Sequence, residues 1–165
     1  MLAKAAGAVT IITSSSDEKL AYVKQKYGAD FTINYKKTPD WAAEVKKLVP
    51  RGADFVLDAG GSGTIQQSIG AVARGGQIAL FGVLSPAAKE AMPDVATATW
   101  MQGCIIRGIN VGSKQQLDEV VQFVGSKNLQ LPVERTFGFS RQEVLAAYEY
   151  LGSDQHVGKV CIDVN

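Results

Sequence analysis

Short apolar, β-rich runs alternate with segments of helical period along most of this chain, and that alternation constrains the fold most. Residues 9–13, 31–35, 54–58, 77–81 and 104–111 read as strands. Helical spacing recurs between and after them, in Leu20, Val23 and Tyr27, then Trp41, Val45 and Leu48, then Ile65, Ile69 and Val72, and last Leu117, Val120, Val121 and Val124. Strands joined by helices run parallel, because tight hairpins join only antiparallel neighbours. The fold class is therefore α/β, a doubly wound parallel sheet with helices on both faces. Ligands of such folds bind at the carboxyl ends of the strands. The residues that follow each strand thus carry the functional information.

Punctuation along the chain agrees with this reading. Leu2, Ala5 and Ala6 share a helical face that Gly7 can close, although a helix that short cannot stand alone. Ser15 and Glu18 have capping-box spacing, Gly28 suits a C-terminal cap, and Thr38-Pro39 predicts a helix start. Residues 84–100 are irregular and read as a loop with a short helix. Beyond Asn128 the character shifts. Residues 133–137 predict a strand, and Ser140 with Glu143 repeats the capping box before a helix carrying Val144, Tyr148 and Leu151. Residues 159–164 predict the last strand. The expected division is 1–130 and 131–165.

Composition excludes several classes. Lys plus Arg is 17 and Asp plus Glu is 16 in 165 residues, a net charge of +1. That balance supports neither nucleic acid nor an anionic membrane as partner. No apolar run approaches the roughly 18 residues of a membrane helix, and the N-terminus does not read as a signal peptide. The expected location is cytoplasmic. Cys104 and Cys161 lack metal-ligand spacing and read as reduced core thiols. His156 is the single histidine and reads as structural. No catalytic residue and no metal ligand is assigned.

The strand ends carry the candidates. Ser14-Ser15-Ser16-Asp17-Glu18-Lys19 follows the first strand. In a dinucleotide fold the equivalent strand end reads the adenosine ribose, and a carboxylate there selects NAD and repels a 2′-phosphate. Ser14 is instead a small neutral donor, and Lys19 lies one turn into the next helix, where an ammonium suits a phosphate. Tyr35, with Lys36 and Lys37, ends the next strand. These suit NADPH, and they equally suit serines that cap a helix and lysines on a solvated face. Ala59-Gly60-Gly61-Ser62-Gly63 is no dinucleotide fingerprint, since residue 66 is Gln, and no P-loop. It reads as a tight turn beneath a ligand. Gly82-Val83 and Val111-Gly112-Ser113 end the next strands, where small residues let a flat ring approach the backbone. Tyr22 and Lys26 match the Tyr-x-x-x-Lys of short-chain dehydrogenases but fall too early in the chain for that active site.

The ordered segments "LAKAAGA", "SSSDEKL", "GAD" with "INY", "ADFVLDAGGSGT", "GGQIALFGVLS", "RGINVGS" and "HVGKVCIDV" together resemble the C-terminal part of the medium-chain dehydrogenase/reductase superfamily. The zinc-binding alcohol dehydrogenase and quinone oxidoreductase branches are most similar. The resemblance implies a Rossmann-like sheet lacking its first strand and Gly-rich loop, so that two strand edges stay unpaired. It implies C-terminal segments that return to a catalytic domain outside this chain and here lack their sheet. By matching position it implies cofactor contacts at Ser14, Lys19, Tyr35, Ala59, Gly82, Val83, Val111, Gly112 and Lys159. Ser14 falls where NAD-preferring relatives place the ribose carboxylate, so NADP(H) is implied ahead of NAD. Lys159 matches a basic residue that reaches the pyrophosphate in some members of the superfamily. Zinc belongs to some relatives, and none of their zinc ligands falls within this chain.

The implied activity is NADP(H)-dependent hydride transfer to or from an alcohol, aldehyde, ketone, quinone or enone, with this chain supplying the cofactor cleft. The alternative is an inactive remnant or interaction module that self-associates through its strand edges.

Overall fold

The computed structural model describes residues 1–164, which contacts divide into two units, one to residue 120 and one from residue 121 onward, with the boundary inside a helix. In the first unit α1 (Leu2–Ala5), α2 (Asp17–Tyr27), α3 (Trp41–Leu48), α4 (Ile65–Ala71) and α5 (Val95–Gln102) alternate with β1 (Ile11–Ser14), β2 (Phe31–Asn34), β3 (Ala53–Asp58), β4 (Val72–Leu80) and β5 (Ile105–Gly108). α6 (Lys114–Ser126) crosses the boundary, and β6 (Val133–Phe137), α7 (Arg141–Gly152) and β7 (Lys159–Ile162) follow.

All strand pairs are parallel, as the helical connections require. β1 pairs with β2, and β3-β4-β5 form a separate three-stranded sheet. β1 and β3 thus each keep one unpaired edge, in agreement with a doubly wound order that lacks its first strand. One apolar cluster ties the two sheets. Ile33 of β2, Ala42 and Val45 of α3 and Ala71 of α4 are buried together, with Ile11 of β1 and Ala53 of β3 packed against them. A second cluster covers one face of the three-stranded sheet. Ile65 and Ile69 of α4 meet Val72 and Ile78 of β4, with Val95 and Ala98 of α5 and Ile106 of β5 alongside. The opposite face is bare: Phe55 and Leu57 of β3 and Ile105 of β5 are exposed, and Phe55 and Ile105 flank Gln77 in register.

Local punctuation departs from expectation in four places. Ser16, not Ser15, caps α2, its hydroxyl accepting from the Lys19 N–H at 3.2 Å. α3 starts at Trp41 behind an Asp40 cap, so Thr38-Pro39 precedes the helix. Asp40 wins because its carboxylate takes the Ala43 N–H, which leaves proline outside as a lead-in. Val72 belongs to β4, where it pairs with Ala53 before a register shift and the main ladder from Gln77. In α7 the buried residue is Ala147, while Tyr148 and Leu151 are exposed.

Several further expectations hold, but the C-terminal strands do not lack a sheet. Gly28 ends α2 at φ 69°, and burial pushes up the thiol of Cys104, which packs on the second cluster. In the second unit, β6 and β7 pair with each other, so the C-terminal strands do have a sheet of their own. Ser140 caps α7 by accepting the Glu143 N–H at 3.3 Å, and Glu143 takes the Gly138 N–H at 3.1 Å. Tyr150 donates to Glu134 at 2.6 Å, and the His156 ring lies 6.4 Å from the Tyr150 ring. No helix among the described residues is long and apolar enough to cross a membrane.

Two predictions follow from this packing. Ile78 is fully buried at the centre of the second cluster. Ile78→Ala should cost about 2–5 kcal/mol, read as a lower denaturant midpoint at unchanged slope. Asp30 joins α1 to β2: Lys4 donates to both its oxygens at 2.9 and 3.0 Å, and the Thr10 N–H donates at 2.8 Å. Lys4 first, then Thr10, holds the Asp30 carboxyl down at about 2. Its stabilisation is complete above the unfolded value near ~3.9 and fades as pH falls toward the folded one. Asp30→Asn should therefore flatten the fall of the melting temperature across that acid window. A parallel fall in variant and wild type would remove Asp30 from the acid response.

Candidate functional site

The site is built from turns at the C-terminal ends of the strands. β1 closes on Ser14, whose hydroxyl accepts the Ser16 N–H at 3.3 Å, and the chain then enters α2. The neighbouring strand end packs onto this turn. The Tyr35 N–H donates to the Ser14 carbonyl at 3.1 Å. Asn34 donates through its side-chain amide to Asp17 Oδ1 at 2.6 Å and to the Ser15 carbonyl at 3.3 Å. Lys37 pairs with Asp17 across the two turns. Lys37, then Asn34, lowers the Asp17 carboxyl below its usual range. Ser14 and Tyr35 are thereby held together, with Lys19 in the first turn of α2. This end is polar, exposed and cationic in part.

The ends of β3 and β4 are built differently. Asp58, the last residue of β3, is buried, and its carboxylate gathers four donors. Oδ1 accepts the N–H groups of Gly60 and Gly61 at 2.9 and 3.0 Å and the Thr64 hydroxyl at 2.6 Å, while Oδ2 accepts the Ser68 hydroxyl at 2.6 Å. The turn so formed is zipped to the turn after β4. Leu84 N–H donates to the Ala59 carbonyl at 3.1 Å, Ser85 N–H to Gly60 at 2.8 Å, and Gly63 N–H to Ser85 at 2.8 Å. Two glycines make the approach possible. Gly61 has φ +84°, and a Cβ on it would press on Gly82 O at 3.0 Å. A Cβ on Gly82 would overlap the Ala59 carbonyl.

The structure therefore brings Ala59, Gly82 and Val83 together, with the Val83 side chain exposed. Val111 and Gly112 follow β5, where the Ile109 N–H continues the ladder to the Leu80 carbonyl at 2.8 Å. Both are exposed ahead of α6. Lys159 opens β7 in the second unit. The sequence pointed to none of Asn34, Asp58, Thr64 or Ser68, whereas Lys37 stood out beside Tyr35 and Asp17 within the run after the first strand. A charged residue closing the apolar run Phe55-Val56-Leu57, just before three glycines in four, is the signal for Asp58.

Tyr22 and Lys26 form a surface pair, with Lys26 Nζ donating to the Tyr22 hydroxyl at 2.5 Å and lying 5.0 Å from its ring centre. The Tyr22 hydroxyl, then the neighbouring rings' charges against burial, holds the Lys26 ammonium above its usual range. A lysine held protonated on α2 is a surface cation. Among the described residues no three His, Cys, Asp or Glu side chains converge to hold a metal.

Comparison with known proteins agrees with this architecture. The chain is 38% identical over 165 residues to the zinc-type alcohol dehydrogenase-like protein C1773.06c of Schizosaccharomyces pombe, covering 99% of this chain and 47% of that protein. It is 31% identical over 168 residues to a 2-haloacrylate reductase of a Burkholderia species, covering 94% and 48%. The crystal structure of an NAD-dependent alcohol dehydrogenase superposes with a TM-score of 0.83 at 32% identity, over 99% of this chain and 46% of that one. The chain thus spans about half the length of the relatives it matches. Residues 1–126 match the family described as zinc-binding dehydrogenase. With its parallel strands and their glycine-lined ends, this chain belongs to the zinc-binding dehydrogenase family.

Proposed function

We propose that this chain is the cofactor-binding part of an NADP(H)-dependent oxidoreductase acting on alcohols, aldehydes, ketones, or quinone and enone substrates. The observation that carries the reading is the end of β1, which closes on the hydroxyl of Ser14 rather than on a carboxylate. A carboxylate there would bind both ribose hydroxyls of NAD and repel a 2′-phosphate. Ser14, Lys19 and Tyr35 are assigned to the 2′-phosphate and ribose. Ala59, Gly82, Val83, Val111 and Gly112 supply backbone along the adenine and nicotinamide, and Lys159 is assigned to the pyrophosphate. Residues 1–130 form the partial dinucleotide domain, and 131–165 the segment that packs on a catalytic domain.

The residues present fit such a cofactor. Hydroxyl and ammonium donors cluster at one strand end, and at the next the glycines let the two turns approach each other closely. The bound nicotinamide supplies the hydride chemistry, and this chain's part is to bind and orient it. The name of the 2-haloacrylate reductase supports reduction as the direction. The NAD-dependent structural neighbour makes the choice of cofactor the point to test. Zinc, implied by the family's name, finds no ligand set among the described residues, so no step is assigned to it. The unpaired edges of β1 and β3 favour a second reading, an interaction module without turnover.

Titration of the chain with NADPH and with NADH, followed by NMR, separates these readings. NADPH should bind at least about tenfold more tightly, the weight of one surface charge contact or a little more. Ser14→Asp should reverse that order. Equal affinities would remove the NADP preference, and no response to either would leave the interaction module.

A further inference from the structure

We infer that Asp58 is a positioning residue of the cofactor cleft. Its buried carboxylate shapes the turn after β3 and, through that turn, fixes the turn after β4 on which the nicotinamide half would rest. The inference rests on the cofactor reading above.

Asp58 is 4% exposed and Ser68 1% exposed. Burying a carboxylate is costly unless its lone pairs are satisfied. Here the four donors of Gly60, Gly61, Thr64 and Ser68 satisfy it, and Asp58 has no ion pair among the described residues. A carboxylate is the side chain of this size that accepts at four places and donates at none. Two of the donors are successive backbone N–H groups of the glycine turn, so the carboxylate sets the path of the main chain itself. The other two come from Thr64, just before α4, and Ser68, within it. The glycine turn is thereby referenced to a helix whose Ile65 and Ile69 anchor the second apolar cluster.

The consequence travels one step further. The turn after β4 takes its position from the glycine turn. Leu84 and Ser85 donate to the Ala59 and Gly60 carbonyls, Gly63 donates back to Ser85, and Ala87 N–H reaches the Ser62 hydroxyl at 2.8 Å. Among the described residues the carboxylate's four donors all lie outside the second turn, which meets Asp58 through the ladder bond of Phe81 N–H to the Asp58 carbonyl at 3.0 Å. Gly82 and Val83 are thus placed through the glycine turn that the carboxylate holds.

The test compares Asp58→Ala, Asp58→Asn and Val45→Ala in the full chain. Amide exchange is measured by NMR, and NADPH affinity by titration. In Asp58→Ala, exchange at Gly63, Leu84 and Ser85 should speed up, and the NADPH dissociation constant should rise, each by about tenfold or more, the weight of a lost buried hydrogen bond. Asn keeps an oxygen for Gly60, Gly61 and Thr64, and the Ser68 hydroxyl can turn to accept from its amide. Asp58→Asn should therefore restore both quantities to within about threefold of wild type. Val45→Ala removes core contacts on α3 and should lower the melting temperature while leaving NADPH affinity unchanged. If Asp58→Ala does not fold, Ser68→Ala carries the comparison, with about a threefold rise expected from one lost donor. The proposal is overturned if the second turn exchanges at its wild-type rate in Asp58→Ala and Ser68→Ala, or if the NADPH affinity of these two variants is unchanged. It is overturned equally if Val45→Ala weakens NADPH as much as they do. A wild-type chain that binds no NADPH would overturn the cofactor reading and the role of Asp58 in it together. Normal wild-type binding with unaffected variants would overturn the role of Asp58 alone.

Discussion

Parallel pairing is the constraint from which the rest of this chain follows. Each parallel neighbour must be reached by a crossover, so a helix stands between one strand and the next. The crossovers carry every strand's C-terminal turn to the same end of its sheet. Ser14 meets Tyr35 because β1 and β2 run in register from Ile11 and Phe31. Ala59 meets Gly82 because β3 and β4 are aligned from Phe55 and Gln77 onward. The candidate site is thus a product of strand register, and no single motif creates it.

The same constraint shows what was legible in the sequence. A strand bounded by clear turns, such as Phe31–Asn34, can be read from alternation alone. Boundaries where two caps compete cannot, because the choice lies in which side chain reaches the free N–H groups. Ser16 and Asp40 win those contests in three dimensions. Val72 illustrates a different limit. Its spacing from Ile69 is helical, and in the structure it is buried in the same cluster as Ile69, yet its backbone is already in β4. Periodicity reports which face is buried, and here one face serves the end of a helix and the start of a strand.

Asp58 and Asn34 were hidden for a related reason. Each is a polar residue at the last position of a strand, where turn chemistry accounts for it without further role. Their significance comes from neighbours distant in sequence, Ser15 and Asp17 for Asn34, and Ser68 on α4 for Asp58. The C-terminal strands were also only half legible. Their extents follow from composition, but their pairing with each other depends on α7 carrying the chain back in parallel.

The two ends of the candidate cleft are held by forces of different kinds, and that difference bears on what each can do. At β3 and β4 the turns are fixed by a buried carboxylate and by backbone bonds from Leu84 to Ala59, Ser85 to Gly60 and Gly63 to Ser85, which salt scarcely screens. At β1 and β2 the turns are joined through the exposed pair of Asp17 and Lys37 and through Asn34. Exposed pairs contribute little stability and are screened beyond about 8 Å at physiological salt. On the proposed cofactor reading, a phosphate there would compete with Asp17 for Lys37, because both are anions seeking the same ammonium. The side chains of the polar end would then rearrange at small cost, while the Tyr35 N–H to Ser14 bond keeps the two backbones together. The glycine end cannot shift without breaking the Asp58 bonds to Gly61 and Ser68, which are buried, and the backbone bonds between the two turns. A dinucleotide held between them would have its phosphate end selected by charge and its ring end placed by a rigid backbone, the division that hydride transfer to a fixed ring position requires.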